Sequence, residues 1–191
     1  SKSLHSSLKE MTNKIKEMTK TKSFEDYFHE IQNNPNNMVH DWINHPNPPQ
    51  IFTIDPPNTT DFDDGLSIQQ INDSQYCITV YIVNVVFWLD LFQLWNSFDN
   101  RISTIYLPDK RRPLLPTFFS ETLCSLKENT KRFAIAIQFF IRQENEDIWE
   151  IQEDKTSIQN VVIRPYKNYV YEDTKLIYQD VNYIQLFEIT S

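Results

Sequence analysis

Apolar side chains recur with a helical repeat at the start of the chain. They occupy positions i, i+4, i+7, i+11 and i+14, namely Leu4, Leu8, Met11, Ile15 and Met18. This spacing predicts an amphipathic helix whose outer face is rich in lysine. Such a helix most often packs on its own domain, and the alternative is contact with a membrane or a nucleic acid.

A second helix is predicted to begin at Ser23 and to run to about Gln32, because Ser23 and Asp26 have the spacing of a helix cap. The stretch 33–50 repeats Asn-Pro and contains four prolines in all, a composition typical of an extended linker. We therefore expect an N-terminal helical segment with a linker over 1–49, followed by a domain over 50–191.

After residue 50 the apolar positions follow a period of two, which predicts β-strands. The alternation is clearest over 133–141, and weaker strand patterns occupy 51–54, 66–71, 77–86, 148–152 and 161–164. Two helices are predicted among them, over 89–98 and 174–187. Strands with interspersed helices predict an α+β fold with a mainly antiparallel sheet and packed helices.

The amino-acid composition excludes several kinds of functional site. The chain has one glycine, Gly65, in 191 residues, where average usage would give about 13. Dinucleotide and phosphate loops, the kinase glycine loop and the Gly-x-Ser-x-Gly elbow all need more glycines than that. The two cysteines, Cys77 and Cys124, lack histidines at ligand spacing, so a zinc site is not expected. They predict a reduced chain, so an intracellular and cytoplasmic location is expected, with no membrane span.

Charge is unevenly distributed along the chain. Six lysines fall within residues 1–22, whereas residues 23–100 contain eleven acidic residues and neither lysine nor arginine. The net charge is −8. A long segment without cations disfavours direct ion pairs with phosphates, and it favours cation binding by some of the carboxylates. The alternative for most of them is a solvated acidic surface.

Four of these carboxylates are concentrated within ten residues, at Asp55, Asp61, Asp63 and Asp64. The predicted strand 51–54 delivers Asp55 at its end. If the backbone is extended from Asp61 to Asp63, their side chains lie on one face about 6.6 Å apart. Asp64 then points the other way unless the chain bends, and we expect Gly65 to permit that bend.

Such a cluster is electrostatically unfavourable without a cation, since each pair at about 5 Å costs about 3 kcal/mol at an effective dielectric constant near 20. Ligands that are all oxygen select Mg²⁺ or Mn²⁺, and two such ions suit the hydrolysis of a phosphodiester. The alternative is an acidic surface turn, because Asp, Asn and Pro are common turn residues. The spacing of the carboxylates alone favours neither the metal site nor the surface turn.

Three motifs in the same order resemble one family. Residues 53–67 read Thr-Ile-Asp-Pro-Pro-Asn-Thr-Thr-Asp-Phe-Asp-Asp-Gly-Leu-Ser, which resembles the signature of the ribonuclease II/R (RNB) exoribonucleases. Residues 101–108 read Arg-Ile-Ser-Thr-Ile-Tyr-Leu-Pro and resemble the family's Arg-Gly-Thr-Ser-Val-Tyr-Leu-Pro. Pro-Leu-Leu-Pro at 113–116 and Leu-Cys-Ser-Leu at 123–126 resemble its next motifs. The resemblance extends over about 50–185.

The resemblance implies a partial RNB-like catalytic domain that hydrolyses single-stranded RNA from the 3′ end to nucleoside 5′-monophosphates, with Mg²⁺ or Mn²⁺ as cofactor. By position, Asp55, Asp61 and Asp64 resemble the family's metal-binding aspartates. Asp63 resembles the aspartate on which catalysis depends most.

The resemblance also implies contacts with RNA. Tyr106 is similar to the aromatic residue that packs against the RNA 3′ end, and its alternative is a tyrosine of the core. Arg101 begins the same motif. Lys110, Arg111 and Arg112 follow it, and they either hold the phosphate backbone or form a solvated turn.

The chain departs from the family at two positions, with Asn84 where a carboxylate is usual and Ile102 where a glycine is usual. We also expect it to be a truncated form, completed by a missing C-terminal part or by another chain. Whether it is an enzyme on its own is left open. The alternative is a non-catalytic RNB-derived relic that acts as a protein-interaction or RNA-associated module.

Overall fold

A computed structural model describes residues 4–97, 105–106, 111–112, 115–145 and 148–170, with only the backbone described at 4, 5, 105, 106, 111 and 112. The α-helices in these ranges are α1 Leu4–Met18, α2 Phe24–Asn33, α3 Val86–Leu91 and α4 Thr117–Thr122. The strands in the same ranges are β1 Val39–Asp41, β2 Phe52–Asp55, β3 Asp64–Asn72, β4 Gln75–Val83, β5 Ile105–Tyr106, β6 Arg111–Arg112, β7 Arg132–Asn145, β8 Ile148–Ile151, β9 Ser157–Ile163 and β10 Lys167–Val170.

Eight of the described strands form one mixed sheet. Its order is β1-β9-β7-β4-β3-β2-β10, and β8 pairs with β7 outside this path. The pairs β1–β9 and β10–β2 are parallel, and the others are antiparallel. Strands β5 and β6 form a separate antiparallel pair. The predicted α+β fold with a mainly antiparallel sheet is confirmed.

The two N-terminal helices form where periodicity and capping predict them. In α1 the centre of the apolar stripe is buried, since Met11 and Ile15 are almost inaccessible to solvent, and Leu8 and Met18 are half-buried. Helix α2 begins directly after Ser23, whose hydroxyl accepts a hydrogen bond from the Asp26 N–H at 3.1 Å. The Asp26 carboxylate in turn accepts from the Ser23 N–H at 3.1 Å. This reciprocal capping box satisfies donors that a helix otherwise leaves free.

One compact unit comprises Ser1–Met38 and Val85–Leu123. Its core is aromatic: the rings of Trp88 and Phe92 stack with centroids 5.9 Å apart, and Phe92 meets Phe119 edge to face. Helix α3 is shorter than the predicted 89–98, because Gln93 adopts a left-handed φ of 49° that a regular helix cannot contain.

The other compact unit comprises Val39–Asn84 and Cys124–Ser191, and it contains the sheet. In β4 every second residue is buried, namely Cys77, Thr79, Tyr81 and Val83. The strand ends at Val83, so Val86, which the alternation included in this strand, begins α3 instead. The predicted division of the chain after residue 49 stays a prediction.

The segment predicted as a linker contains two short elements. A 3-10 turn occupies Pro35–Asn37, and β1 follows it in parallel pairing with β9. Strand β10 and helix α4 were not predicted either. Elements of three to six residues carry too little periodicity to be recognised, and β1 and β10 owe their pairing to partners far away in sequence. The helix predicted over 174–187 lies outside the described residues.

Within the part of the chain that is described, no helix is both long enough and apolar enough to cross a membrane.

Candidate active site

Strand β2 places Asp55 at the edge of a buried region. Its first two residues, Phe52 and Thr53, are buried, and Asp55 is half-buried at its carboxyl end. The strand is flanked by β10 and β3, with Asp55 opposite Val170 in the parallel register. Two prolines follow directly, which cannot donate ladder hydrogen bonds. The sheet therefore fixes the backbone of the first aspartate.

The segment carrying the other aspartates is held by backbone bonds on both sides. The Phe62 N–H donates to the Ser125 hydroxyl at 2.9 Å, and the Phe62 carbonyl accepts from the Leu126 N–H at 2.8 Å. One residue later, the Asp63 carbonyl accepts from the Val83 N–H at 2.9 Å. Ser125 is fully buried. These bonds fix the backbone on either side of Asp63 before any ligand binds.

Ser125 is itself held by an arginine at the start of β7. Arg132 donates from Nε to the Ser125 carbonyl at 2.7 Å and from Nη1 to the Lys131 carbonyl at 2.7 Å. Near them, burial raises the pKa of the Cys124 thiol well above its usual range, and the charge of Asp63 adds to that rise. The thiol is therefore neutral, as is usual for a buried cysteine.

Gly65 has a different role from the predicted bend. It lies within β3 opposite Tyr81, and its φ is not in the left-handed region. A Cβ at this position would lie 3.2 Å from the carbonyl oxygen of Phe52 and 3.4 Å from Cγ2 of Ile51. A side chain here would crowd the backbone of β2, so the glycine suits this close approach. The prediction that Gly65 supplies conformational freedom is wrong, because its φ is not in the left-handed region.

The carboxyl group of Asp55 lies in an electrostatically unfavourable environment. Burial raises the pKa of the Asp55 carboxyl, a hydrogen bond from Thr53 opposes the rise, and the charges of Asp64 and Asp61 add to it. One oxygen, Oδ2, is buried and has no hydrogen-bond partner. A buried carboxylate oxygen without a partner is rare and unfavourable, so its position calls for a ligand.

The side chains around Asp55 meet some of the requirements of a binding site for a divalent cation, but not all of them. The donors are all oxygen, as Mg²⁺ and Mn²⁺ prefer, and the unpartnered Oδ2 of Asp55 is a free ligand atom. As the side chains are placed, however, no group of three or more His, Cys, Asp or Glu among the described residues lies close enough to hold a metal ion. Backbone hydrogen bonds hold the segment that carries Asp63, whereas the described carboxylates are not gathered into a complete ligand set.

The residues predicted to contact RNA are only partly described. Arg101 and Lys110 lie outside the described residues. For Tyr106, Arg111 and Arg112 the backbone is described, and it pairs Tyr106 with Arg111 across β5 and β6. Tyr106, Arg111 and Arg112 belong to the compact unit that contains the helices, and the four aspartates belong to the unit that contains the sheet.

Asn84, which departs from the family pattern, is a buried structural residue. Its side-chain amide donates to Oδ1 of Asn160 at 3.1 Å, and its N–H donates to the Phe133 carbonyl at 2.9 Å. This amide pair follows the end of β4. A carboxylate at position 84 would be an acceptor only, so it would need Asn160 to turn its own NH₂ towards it.

Three residues that make hydrogen bonds near the aspartates were not predicted from the sequence. Thr53 and Ser125 lie inside recognised motifs, next to Asp55 and Cys124, but neither is of a residue type that suggests catalysis. Asn168 lies in β10, which was not predicted. Its amide donates to the Thr53 hydroxyl at 3.0 Å. No local signal marks it, because the two residues are 115 positions apart.

A cavity of about 420 Å³ lies elsewhere in the same unit, beside Ile51 at the opposite end of β2. Trp42, Arg164 and Tyr166 are among its lining residues, and none of the four aspartates is. A pocket of this size suits a small ligand. It is separate from the aspartates and does not alter the assignment of the candidate site.

Comparison with known families decides what kind of domain this is. The family model described as the RNB domain matches residues 47–185, which is well over half of the chain. The chain belongs to the RNB domain family. All four aspartates and the five residues predicted to contact RNA fall inside the matched range, whereas α1 and α2 precede it.

Curated relatives of this RNB chain bear the names of exoribonucleases. Ribonuclease R of Chlamydia muridarum is 36% identical over 87 residues, which are 45% of this chain and 13% of that protein. DIS3-like exonuclease 2 of Schizosaccharomyces pombe is 31% identical over 110 residues, which are 57% of this chain and 12% of that protein. The chain thus spans less than a fifth of the length of either relative.

Solved structures share the fold of the RNB chain. Mycoplasma genitalium RNase R in complex with ribose methylated single-stranded RNA matches 83% of this chain and 24% of its own, with a TM-score of 0.59 and 20% identity. Yeast Ssd1, a pseudonuclease, matches 72% of this chain and 17% of its own, with a TM-score of 0.58 and 19% identity. At such identities the likeness shows the fold alone, since one fold supports active and inactive members.

Proposed function

We propose that this chain is the aspartate-bearing part of a 3′-to-5′ exoribonuclease that hydrolyses single-stranded RNA to nucleoside 5′-monophosphates. Membership of the RNB family supports the reaction class. The observation that carries the proposal is the buried Oδ2 of Asp55, which lacks a partner in a carboxyl group whose pKa is raised by burial and by the charges of Asp64 and Asp61. Such an arrangement is unfavourable unless a cation binds.

In this proposal Asp55, Asp61 and Asp64 bind Mg²⁺ or Mn²⁺. The bound cation would neutralise charge on the phosphate and lower the pKa of a bound water. Asp63 is the residue on which hydrolysis depends most. The bonds of Phe62 to Ser125 and Leu126 hold its backbone, so little reorganisation is needed on binding.

The RNA contacts are proposed from sequence position. Tyr106 stacks on the 3′-terminal base, a contact that tolerates any sequence because every base has a π-face. Arg101, Lys110, Arg111 and Arg112 contact the phosphates. The rest of the domain, in the same protein or in another chain, is proposed to complete the site.

A second candidate is a non-catalytic relic that retains the scaffold and serves as a protein-interaction or RNA-associated module. It is favoured by one finding: among the described residues, no three metal-ligating side chains lie close enough together to hold an ion. Asn84 in a position where the family carries a carboxylate favours it as well. The two candidates differ in whether Asp63 matters for RNA cleavage.

The deciding experiment is a gel assay on single-stranded RNA labelled at the 3′ or at the 5′ end, with Mg²⁺ or Mn²⁺. For the exoribonuclease we expect slow release of labelled mononucleotide from the 3′ end, abolished by Asp63→Asn and by chelation. Asp73→Asn, in an exposed turn between β3 and β4, is the matched control and should leave the rate unchanged.

Each of the other results has a definite meaning. No cleavage by a chain that still binds Mn²⁺ through Asp55 supports the relic. Metal-stimulated cleavage that survives Asp63→Asn contradicts the site assignment altogether.

A further inference from the structure

Two adjoining cavities lie in the unit that contains the sheet. The larger has a volume of about 420 Å³, and the smaller has a volume of about 270 Å³. Trp42, Asn47 and Pro49 line both of them, so the two cavities meet at these side chains and together form the Trp42 cleft. None of the four aspartates lines either cavity. A cleft of this size suits a small organic ligand.

The lining of the Trp42 cleft is held in place by contacts within the protein. The Trp42 N–H donates to the Val162 carbonyl at 3.1 Å, and its indole ring meets the buried ring of Tyr81 edge to face, with centroids 6.0 Å apart. The Tyr166 N–H donates to the Ile51 carbonyl at 2.7 Å. A ligand can therefore bind with little reorganisation of the protein, which favours affinity.

The larger cavity combines aromatic surface with one cation. Trp42 and Tyr166 line it, and 49% of the Tyr166 surface is exposed. Arg164 is the one charged residue in the described lining, and no residue that the structure describes forms a hydrogen bond or an ion pair with its guanidinium group. Aromatic rings stack on flat ligands, and a guanidinium group binds phosphate in a bidentate manner. The larger cavity thus suits a ligand that has both a flat ring and an anionic group.

The smaller cavity is lined by three side-chain amides, those of Gln69, Gln138 and Gln159. Oε1 of Gln138 accepts from the Ser157 hydroxyl at 3.0 Å and from Nε2 of Gln159 at 3.3 Å. The amide of Gln69, by contrast, has no hydrogen-bond partner within the described part of the chain. A glutamine amide donates and accepts at once, which matches the N6 and N7 atoms at the edge of adenine.

We propose that the Trp42 cleft binds an adenine nucleotide, with the base against Trp42 and the amides of the smaller cavity and the phosphate on Arg164. This proposal goes beyond the proposed function, since it uses neither the aspartates nor a metal ion. The same chemistry is offered by a free nucleoside 5′-monophosphate and by one nucleotide unit of a single-stranded RNA.

The test titrates the full chain with adenosine 5′-monophosphate in a calorimeter, with EDTA present so that no divalent cation contributes. Wild type should show saturable binding with a Kd below about 1 mM. Arg164→Gln should weaken binding about tenfold, because it removes a charged hydrogen-bond donor from the phosphate. The matched control is Arg142→Gln. Arg142 is an exposed arginine of the same unit that lines neither cavity, so its loss should leave the affinity unchanged.

A second set of measurements tests the assignment of the base. Trp42→Ala should weaken binding about tenfold because a stacking surface is lost, and Trp42→Phe should restore most of the affinity. Circular dichroism establishes that each variant is folded. Tyr166→Ala alters an exposed side chain and carries the aromatic test if Trp42→Ala does not fold. Adenosine, which lacks the phosphate, and ribose 5-phosphate, which lacks the base, should each bind at least about tenfold more weakly than the nucleotide.

Competition with a short oligoadenylate distinguishes the two sources of the nucleotide. Displacement of the monophosphate by a lower concentration of the oligonucleotide assigns the cleft to RNA, and the reverse order assigns it to free nucleotide. Both results support the proposal. It is overturned if wild type binds neither ligand in a saturable way, or if Arg142→Gln weakens binding as much as Arg164→Gln does.

Asp63→Asn separates this proposal from the proposed function. It should leave the affinity for adenosine 5′-monophosphate unchanged, even though it is expected to abolish RNA cleavage. Loss of nucleotide binding in this variant would place the nucleotide at the aspartates and overturn the Trp42 cleft. Conversely, a chain that binds the nucleotide through Arg164 but never cleaves RNA would retain the cleft and contradict the proposed function.

Discussion

At the scale of single residues, Asp55 combines two unfavourable features. Its carboxyl group is desolvated and lies near the charges of Asp64 and Asp61, and both effects raise its pKa. Only the Thr53 hydroxyl opposes them, and one oxygen remains without a partner. A charged group in such a position reduces the stability of the metal-free fold, and a bound cation would reverse the sign of its contribution.

Asp55→Asn is therefore expected to change stability in opposite directions with and without metal. In the metal-free chain at neutral pH it should raise the free energy of unfolding, by at most about 1 kcal/mol because the group is still partly solvated. With Mn²⁺ at about 100 times its dissociation constant, wild type gains about 2.7 kcal/mol that the variant lacks. Thermal unfolding with and without Mn²⁺ measures both effects.

Asp73→Asn serves as the control for this pair of measurements, since it removes one exposed negative charge and should behave like wild type in both conditions. If the metal-free Asp55→Asn variant is clearly less stable than the metal-free wild type, the carboxylate is not strained, and the main physical argument for the cation is removed.

At the scale of elements, the helices and strands differ in where their stability originates. The first turn of α2 is held by a capping box between Ser23 and Asp26, residues three positions apart. The ends of β2 depend instead on β10 and β3, and the aspartate segment depends on Ser125 and Leu126. The cap can thus be tested by local substitutions alone.

Ser23→Ala should lower the free energy of unfolding by about 1 kcal/mol, because it removes the cap of α2. The bonds from the Ser23 hydroxyl and N–H lower the pKa of Asp26 below its ordinary 3.8. The folded state therefore binds the proton less readily than the unfolded state. The contribution of Asp26 is fully present above its ordinary pKa and is lost as the pH falls through the lower folded value.

Urea unfolding tests this directly. It measures the free energy of unfolding of wild type and of Asp26→Asn near neutral pH, and again at a pH below the ordinary pKa of aspartate. The difference between the two proteins should shrink in acid. Glu25→Gln removes a charge from the same helical turn without touching the capping box, so it should have the smaller effect. A stability difference that is independent of pH would contradict the assigned role of Asp26.

At the scale of the whole molecule, net charge limits what the chain can bind. It carries −8 overall, and residues 23–100 contain no lysine or arginine. Affinity for a nucleic acid is derived mainly from cations that neutralise phosphates. The basic residues are concentrated in two places, the lysines of the N-terminal 22 residues and the run formed by Lys110, Arg111 and Arg112. This run, together with Arg101, is the proposed contact with the RNA.

The chain without metal should bind a single-stranded oligonucleotide weakly, with a Kd of about 10⁻⁴ M near physiological salt. Replacing Lys110, Arg111 and Arg112 by Gln should reduce the slope of log K against log salt by about 2, since each phosphate contact with a single strand contributes about 0.7. Fluorescence anisotropy over a salt series measures both quantities.

The matched control replaces three exposed lysines of α1 and its C-terminal turn, Lys9, Lys16 and Lys20, by Gln. It removes the same charge and should leave the salt slope nearly unchanged. An equal decrease of the salt slope in both triple variants would mean that RNA binds non-specifically to any basic surface of the chain. A decrease of the slope in the control variant alone would assign the RNA contact to α1.

The sequence by itself determined the features that depend on neighbours in the chain. The helical period and the Ser23–Asp26 spacing predicted α1 and α2, the alternation over 133–141 predicted β7, and four carboxylates in ten residues identified the candidate site. In each case the physical cause acts within a few residues, so the order of residue types is enough to reveal it.

Only the tertiary structure decided which distant groups complete the site. Asn168 reaches Thr53 across 115 residues, and Ser125 reaches Phe62 across 63. It also showed that Gly65 lies at a close approach to β2 rather than at a bend. These contacts exist because the sheet register brings particular backbones together, and a hydrogen bond depends on distance and direction in space rather than on separation along the chain.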